Sequence, residues 1–140
     1  MLMYYDARVG TAMNGLFDLI SLEPNKTYYP YFAFHQMERI GETVRVVCDD
    51  PSVYTLAVSN GEETQVLLTY YDDNDESPDG EVTLRFHADS RQEIRFFLTD
   101  KTRDHAQVHA YVTSSSDREQ TLRIPIKLFD IYHIVIAPKR

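Results

Sequence analysis

From about Glu42 to Ala137 the chain alternates apolar and polar residues in eight short runs. Side chains on an extended strand project to opposite faces in turn, so a period of two marks strands with one buried face. Val44, Val46 and Cys48 form the first apolar set. Tyr54, Leu56 and Val58 follow, then Val66, Leu68 and Tyr70, then Val82, Leu84 and Phe86. The remaining four are Ile94, Phe96 and Leu98; Val108, Ala110 and Val112; Leu122, Ile124 and Ile126; and Tyr132, Ile134 and Ile136. Between them stand Arg45, Thr55, Gln65, Thr83, Arg85, Arg95, Gln107, Arg123 and His133. One dry and one wet face per strand belongs to antiparallel sheets. Eight such strands predict a β-sandwich, with a barrel as the lesser alternative. On this pattern Leu56, Leu68, Leu84, Phe96 and Ile134 are expected in the core.

The connections support this. Asn60-Gly61 predicts a hairpin through a type I′ turn, whose two central residues need positive φ. Asp79-Gly80 closes an acidic loop, and Asp49-Asp50-Pro51 is turn chemistry. Pro125 cannot donate to a ladder, so its strand is expected at an edge or a bulge.

Ahead of the strands the period is different. Tyr29, Phe32, Ala33, Gln36, Met37 and Ile40 follow helical spacing, which predicts a helix over residues 28–40. Thr27 is placed as its N-cap and Gly41 as a left-handed C-cap. Residues 2–5 read as a short strand and residues 9–21 as a loop. The chain therefore divides into a strand-loop-helix segment, 1–41, and a β-sandwich domain, 42–140. The fold class is mainly β.

Composition narrows function. The 140 residues carry a net charge of −8 without a basic cluster, which repels nucleic acid and anionic membranes. Cys48 is the only cysteine, so no intrachain disulfide and no cysteine zinc site can form. Its position in the alternation predicts a buried, inert thiol. No signal peptide and no membrane-spanning run is present in the sequence, which predicts a cytoplasmic location if the chain is complete.

Chemical motifs are few. Asp75, Ser77, Asp79 and Gly80 imitate part of a calcium loop, but the twelfth position is Phe86, where a glutamate is required. A solvated hairpin loop is the expected reading of residues 72–79. His105 and His109 lack a third ligand, so no metal is expected. No nucleophile elbow or phosphate loop occurs, and no catalytic residue or cofactor is expected. Asn25-Lys26-Thr27 matches a glycosylation sequon, a pattern common by chance. Among ten tyrosines, Tyr71 and Tyr111 fall on outward positions and are the candidates for stacking on a sugar ring.

The first block adds a resemblance. Met3-Tyr4-Tyr5-Asp6-Ala7-Arg8, then Asn14-Gly15-Leu16-Phe17-Asp18, then Tyr28-Tyr29-Pro30-Tyr31-Phe32 resembles the end of a (β/α)₈ glycoside hydrolase. It is similar to the last barrel strand, loop and helix of retaining enzymes of the β-xylosidase type, which continue into a C-terminal β-sandwich. The resemblance implies an accessory portion whose two catalytic glutamates would lie upstream of Met1. Retaining hydrolysis needs two carboxylates facing each other across the scissile bond, which one strand and one helix cannot supply. It implies that Tyr5, Asp6, Arg8 and Asn14 would sit near substrate in a complete enzyme, although an ion pair bracing the loop is the favoured reading of Asp6 and Arg8. The implied partners are a catalytic barrel and a carbohydrate. A free-standing carbohydrate-binding module and a structural or adhesion sandwich remain as alternatives. The apolar residues of the first segment predict self-association through residues 1–41, most simply as a two-fold dimer.

Overall fold

A computed structural model describes residues 15–113 and 118–139. The helix α1 (Tyr28–Glu38) precedes eight strands. These are β1 (Glu42–Val44), β2 (Val53–Ser59), β3 (Thr64–Tyr70), β4 (Gly80–His87), β5 (Gln92–Thr99), β6 (Ala106–Val112), β7 (Glu119–Ile126) and β8 (Ile131–Pro138). Six of them form a sheet in the order β1-β2-β3-β8-β5-β6, and β4 pairs with β7 in a second sheet. Every pairing is antiparallel. The result is the expected β-sandwich.

The core is the apolar face of the large sheet laid on the small one. Val66, Leu68, Ile94, Phe96, Leu98, Tyr132, Ile134 and Ile136 meet Leu122, Ile124 and Ile126 in one cluster. Val82, Leu84 and Phe86 on β4 are half-buried against it, because that narrow sheet leaves their flank uncovered. The Tyr132 hydroxyl donates to the Pro125 carbonyl at 2.9 Å, which ties the two sheets together. Pro125 lies on β7, whose only ladder partner among the described residues is β4, so its missing N–H interrupts no second described ladder.

Four local expectations need correction. First, β1 is three residues long, and Cys48 lies beyond it, exposed, with its Sγ 3.5 Å from the Asp50 carbonyl. Second, β2 turns its other face to the core. Val53 and Ala57 join the cluster, while Leu56 pairs with Leu67 on the opposite face and Tyr54 is 55% exposed. Both faces of β2 carry apolar residues, so alternation could not choose between them. Third, the register of β6 slips beside Phe96 and Phe97. A bulge adds one residue and reverses the faces beyond it. Tyr111 is thereby brought opposite Ile94 on the core side and stacks on Phe96, with centroids 5.6 Å apart, while staying 39% exposed at the sheet edge. Fourth, the hairpin from β2 to β3 is closed by the four residues 60–63. Gly61 takes φ +89° but Asn60 does not go positive, so the turn is not type I′. The Asn60 side chain instead accepts from the N–H groups of Glu62 and Glu63 at 2.9 and 2.8 Å.

The ends of α1 also differ from expectation. Thr27 makes no side-chain cap, and its hydroxyl turns to the Gly15 carbonyl at 3.4 Å. The helix stops at Glu38, and Gly41 adopts φ +155° rather than a left-handed helical value. A Cβ on Gly41 would sit 2.9 Å from the Ser59 carbonyl oxygen, and backbone cannot step aside as a side chain can. Gly41→Ala is therefore expected to lose about 1–3 kcal/mol, through strain at this φ and the clash. Urea denaturation checks this; an unmoved midpoint would contradict the close approach.

Candidate functional site

The large sheet has a second face, and α1 lies over part of it, packed on β2 and β3. Ala33 and Met37 are each only 1% exposed there. The polar positions of β3, β8 and β5 point to this side, and they are not all wet as alternation predicted. Gln65 and His133 are buried, at 5% and 3% exposure. A cleft of about 680 Å³ opens between helix and sheet. Phe32, Gln36, Arg39 and Ile40 line it from the helix side, with Glu63, Gln65, Arg95, Phe97, His105, His133 and Val135 opposite.

A hydrogen-bonded chain crosses this cleft. Gln65 Nε2 donates to Glu63 Oε1 at 2.5 Å, so Gln65 Oε1 must accept. It does so from His133 Nε2 at 2.8 Å. A neutral His133 then has only a lone pair on Nδ1, which accepts from His105 Nε2 at 2.9 Å. Both rings are thereby fixed as Nε2–H tautomers, and His105 Nδ1 keeps a lone pair. Burial holds His133 in the neutral form, pushing its pKa down to about 4, with the charges of His105 and Arg95 adding to the effect. Burial lowers His105 as well.

The chain is braced on every side. His105 lies flat on Phe97, at 4.8 Å and 3°, and takes the Phe32 ring edge-on at 5.2 Å. Its backbone is at φ +52°, held by its N–H donating to Thr99 Oγ1 at 3.1 Å. Lys26, just before α1, pairs with Asp104 at 2.5 Å and fixes the helix start beside this loop.

The sequence candidates fall elsewhere. Tyr5, Asp6, Arg8 and Asn14, and the strand expected over 2–5, lie outside the described residues. Tyr71 follows β3 and Tyr111 lies on β6, with β8 and β5 between their strands. Tyr71 is 46% exposed, and its hydroxyl donates to Asp73 Oδ1 at 2.7 Å, which raises its pKa. It clusters with exposed Tyr54 and Phe129, but the rings are inclined at 60° and 54°, so they form no flat sugar platform. Burial raises Tyr111 to about 12. His109 sits opposite Phe96, so His105 pairs with His133 rather than with it. Among the described residues no three His, Cys, Asp or Glu groups converge as metal ligands. In the acidic loop, Asp72 and Asn74 side chains accept from the backbone N–H groups of Asn74 and Glu76. The cleft residues were hard to find because Gln65, Arg95 and His133 read as ordinary wet positions. Only the order β3-β8-β5 places them side by side.

Comparison with known proteins sets this fold in context. No family model matches the sequence, and no curated protein matches it. Solved structures do. A glucosidase from Croceicoccus marinus superposes with a TM-score of 0.74 at 13% identity, over 90% of this chain and 34% of that one. The GH39 enzyme from Xanthomonas axonopodis pv. citri gives 0.71 at 12%, over 89% and 32%. A GH30 endoxylanase from Clostridium papyrosolvens C71 gives 0.64 at 17%, over 86% and 30%. The chain thus shares the fold of part of several glycoside hydrolases and spans about a third of their length.

Proposed function

We propose that this chain is a non-catalytic accessory β-sandwich of a glycoside hydrolase-like protein, and that its role is to pack against a (β/α)₈ catalytic barrel. The observation that carries this reading is the shared fold, which covers 86–90% of this chain but only 30–34% of three glycoside hydrolases. In this reading residues 1–41 complete the end of the barrel and residues 42–140 form the accessory domain. The finer assignment to the β-xylosidase type rests on the sequence blocks at residues 3–8, 14–18 and 28–32. Tyr5, Asp6, Arg8 and Asn14 are then proposed to lie near substrate, with Tyr71 and Tyr111 as weaker carbohydrate contacts.

Exposed apolar side chains support a packing role. Leu19, Ile20 and Leu22 are 52%, 91% and 59% exposed. The turn that presents them is held by Asp18 Oδ1, which accepts from the N–H groups of Ile20 and Ser21 at 2.9 and 2.8 Å. Leu22 stands at φ +60°, a costly value for a side chain of this kind. The same surface favours a second reading, self-association through residues 1–41.

The purified chain is expected to turn over neither aryl β-xylosides nor aryl β-glucosides. Turnover that disappears on mutating a carboxylate of this chain would overturn the accessory reading. Light scattering on a gel-filtered sample decides the second reading, since a monomer at high micromolar concentration excludes self-association.

A further inference from the structure

We propose that the cleft between α1 and the large sheet binds a small hydroxylated carboxylic acid, as its carboxylate. The inference goes beyond the accessory role, because every group it uses belongs to this chain and none depends on an attached barrel. Two guanidinium groups line the cleft, those of Arg39 and Arg95. Arg39 has no carboxylate partner among the described residues, and Arg95 has only Glu93, at a loose 3.9 Å. Arg95 Nε is shielded from solvent and finds no hydrogen-bond acceptor among the described residues, although the side chain as a whole is 40% exposed. A buried donor without a partner leaves its desolvation cost uncompensated, so its persistence needs an explanation. An oxyanion seated on the guanidinium supplies an acceptor.

The rest of the cleft selects within the oxyanions. Glu63 lies in the same cleft, already engaged by Gln65. Two guanidinium groups line the cleft against the one carboxylate of Glu63, with Glu93 only loosely at Arg95 from outside it, and this small positive surplus matches a carboxylate better than a phosphate dianion. The tautomers of the hydrogen-bonded chain leave His105 Nδ1 as an acceptor with no donor bonded to it among the described residues. That lone pair suits a ligand hydroxyl. Phe32, Ile40, Phe97 and Val135 supply apolar wall. The volume of about 680 Å³ lies within the range of small-molecule sites, roughly 300–1,000 Å³.

Glucuronate and glucose test this, since they share a ring and hydroxyls and differ in the carboxylate. Titration is followed by the NMR signals of the His105 and His133 ring C–H groups, with inorganic phosphate as a third probe. Saturable shifts are expected with glucuronate and none with glucose. Arg95→Gln and Arg39→Gln are each expected to weaken glucuronate binding roughly tenfold or more, as loss of a charge-assisted contact does. A thermal melt of each variant confirms that it is folded, and Arg39, being exposed, keeps the test sound should the Arg95 variant not fold. Equal binding of glucose would overturn the carboxylate assignment, as would binding of phosphate without glucuronate. Absence of saturable shifts in the unaltered chain, or unchanged affinity in folded Arg39→Gln, would overturn the site itself.

Discussion

Acidification from pH 7 to pH 4 is expected to remove roughly 3 kcal/mol of folding stability through His133 alone. The folded pKa is about 4, while a free imidazole titrates near 6.5. In the unfolded chain the ring takes up its proton first, so protons favour unfolding. The stability is fully present above about 6.5, falls as the pH drops, and is gone near 4. His105 is shifted in the same direction, for the same reason, and adds to the loss. Asp18 and Asp100, whose pKa values are lowered, lose their contributions only below that window. Asp130 is raised by burial, so its own proton uptake in the folded chain opposes the loss. Urea midpoints at pH 7, 5.5 and 4.5 measure the effect, and His133→Gln is expected to flatten the profile. Equal stability at pH 7 and 4.5 in the unaltered chain would mean that the imidazole pair is not buried as described.

Phe96→Ala is expected to cost about 3–5 kcal/mol, as truncation of a fully packed aromatic does. Phe96 is 4% exposed, lies in the core cluster and carries Tyr111 stacked on it. Leu56→Ala should cost less, because Leu56 lies outside that cluster on the other face of the sheet. Chemical denaturation of the two variants tests the assignment of faces, and a larger loss for Leu56 than for Phe96 would reverse it.

What the sequence made legible follows from how many faces of each strand are apolar. On β5 and β8 the core-facing set is unbroken, and Ile94, Phe96, Leu98, Tyr132, Ile134 and Ile136 are all in the core as expected, although Phe97 and Val135 stand on the other face. On β2 both faces are apolar, because one meets β7 and β4 across the core while α1 packs on β2 from the other side. On β6 a bulge reversed the count, and no local signal in residues 106–112 marks it. Cys48 departs from the alternation because β1 ends at Val44, where pairing with β2 stops. The His105–His133 contact spans 28 residues and depends on strand order, which alternation does not encode.

The strand order has one more consequence, for how the protein is made. β8 lies between β3 and β5, yet it is the last of these eight strands to leave a ribosome. Until it arrives, β3 and β5 each carry an open edge with unpaired N–H and C=O groups, and Val66, Leu68, Ile94 and Phe96 face no finished core. Open apolar edges recruit other chains, which is the usual route to aggregation. Pairings between distant segments also form slowly. The nascent chain therefore passes through an interval in which its centre is missing while its flanks exist, and its yield in a cell depends on how well that interval is shielded.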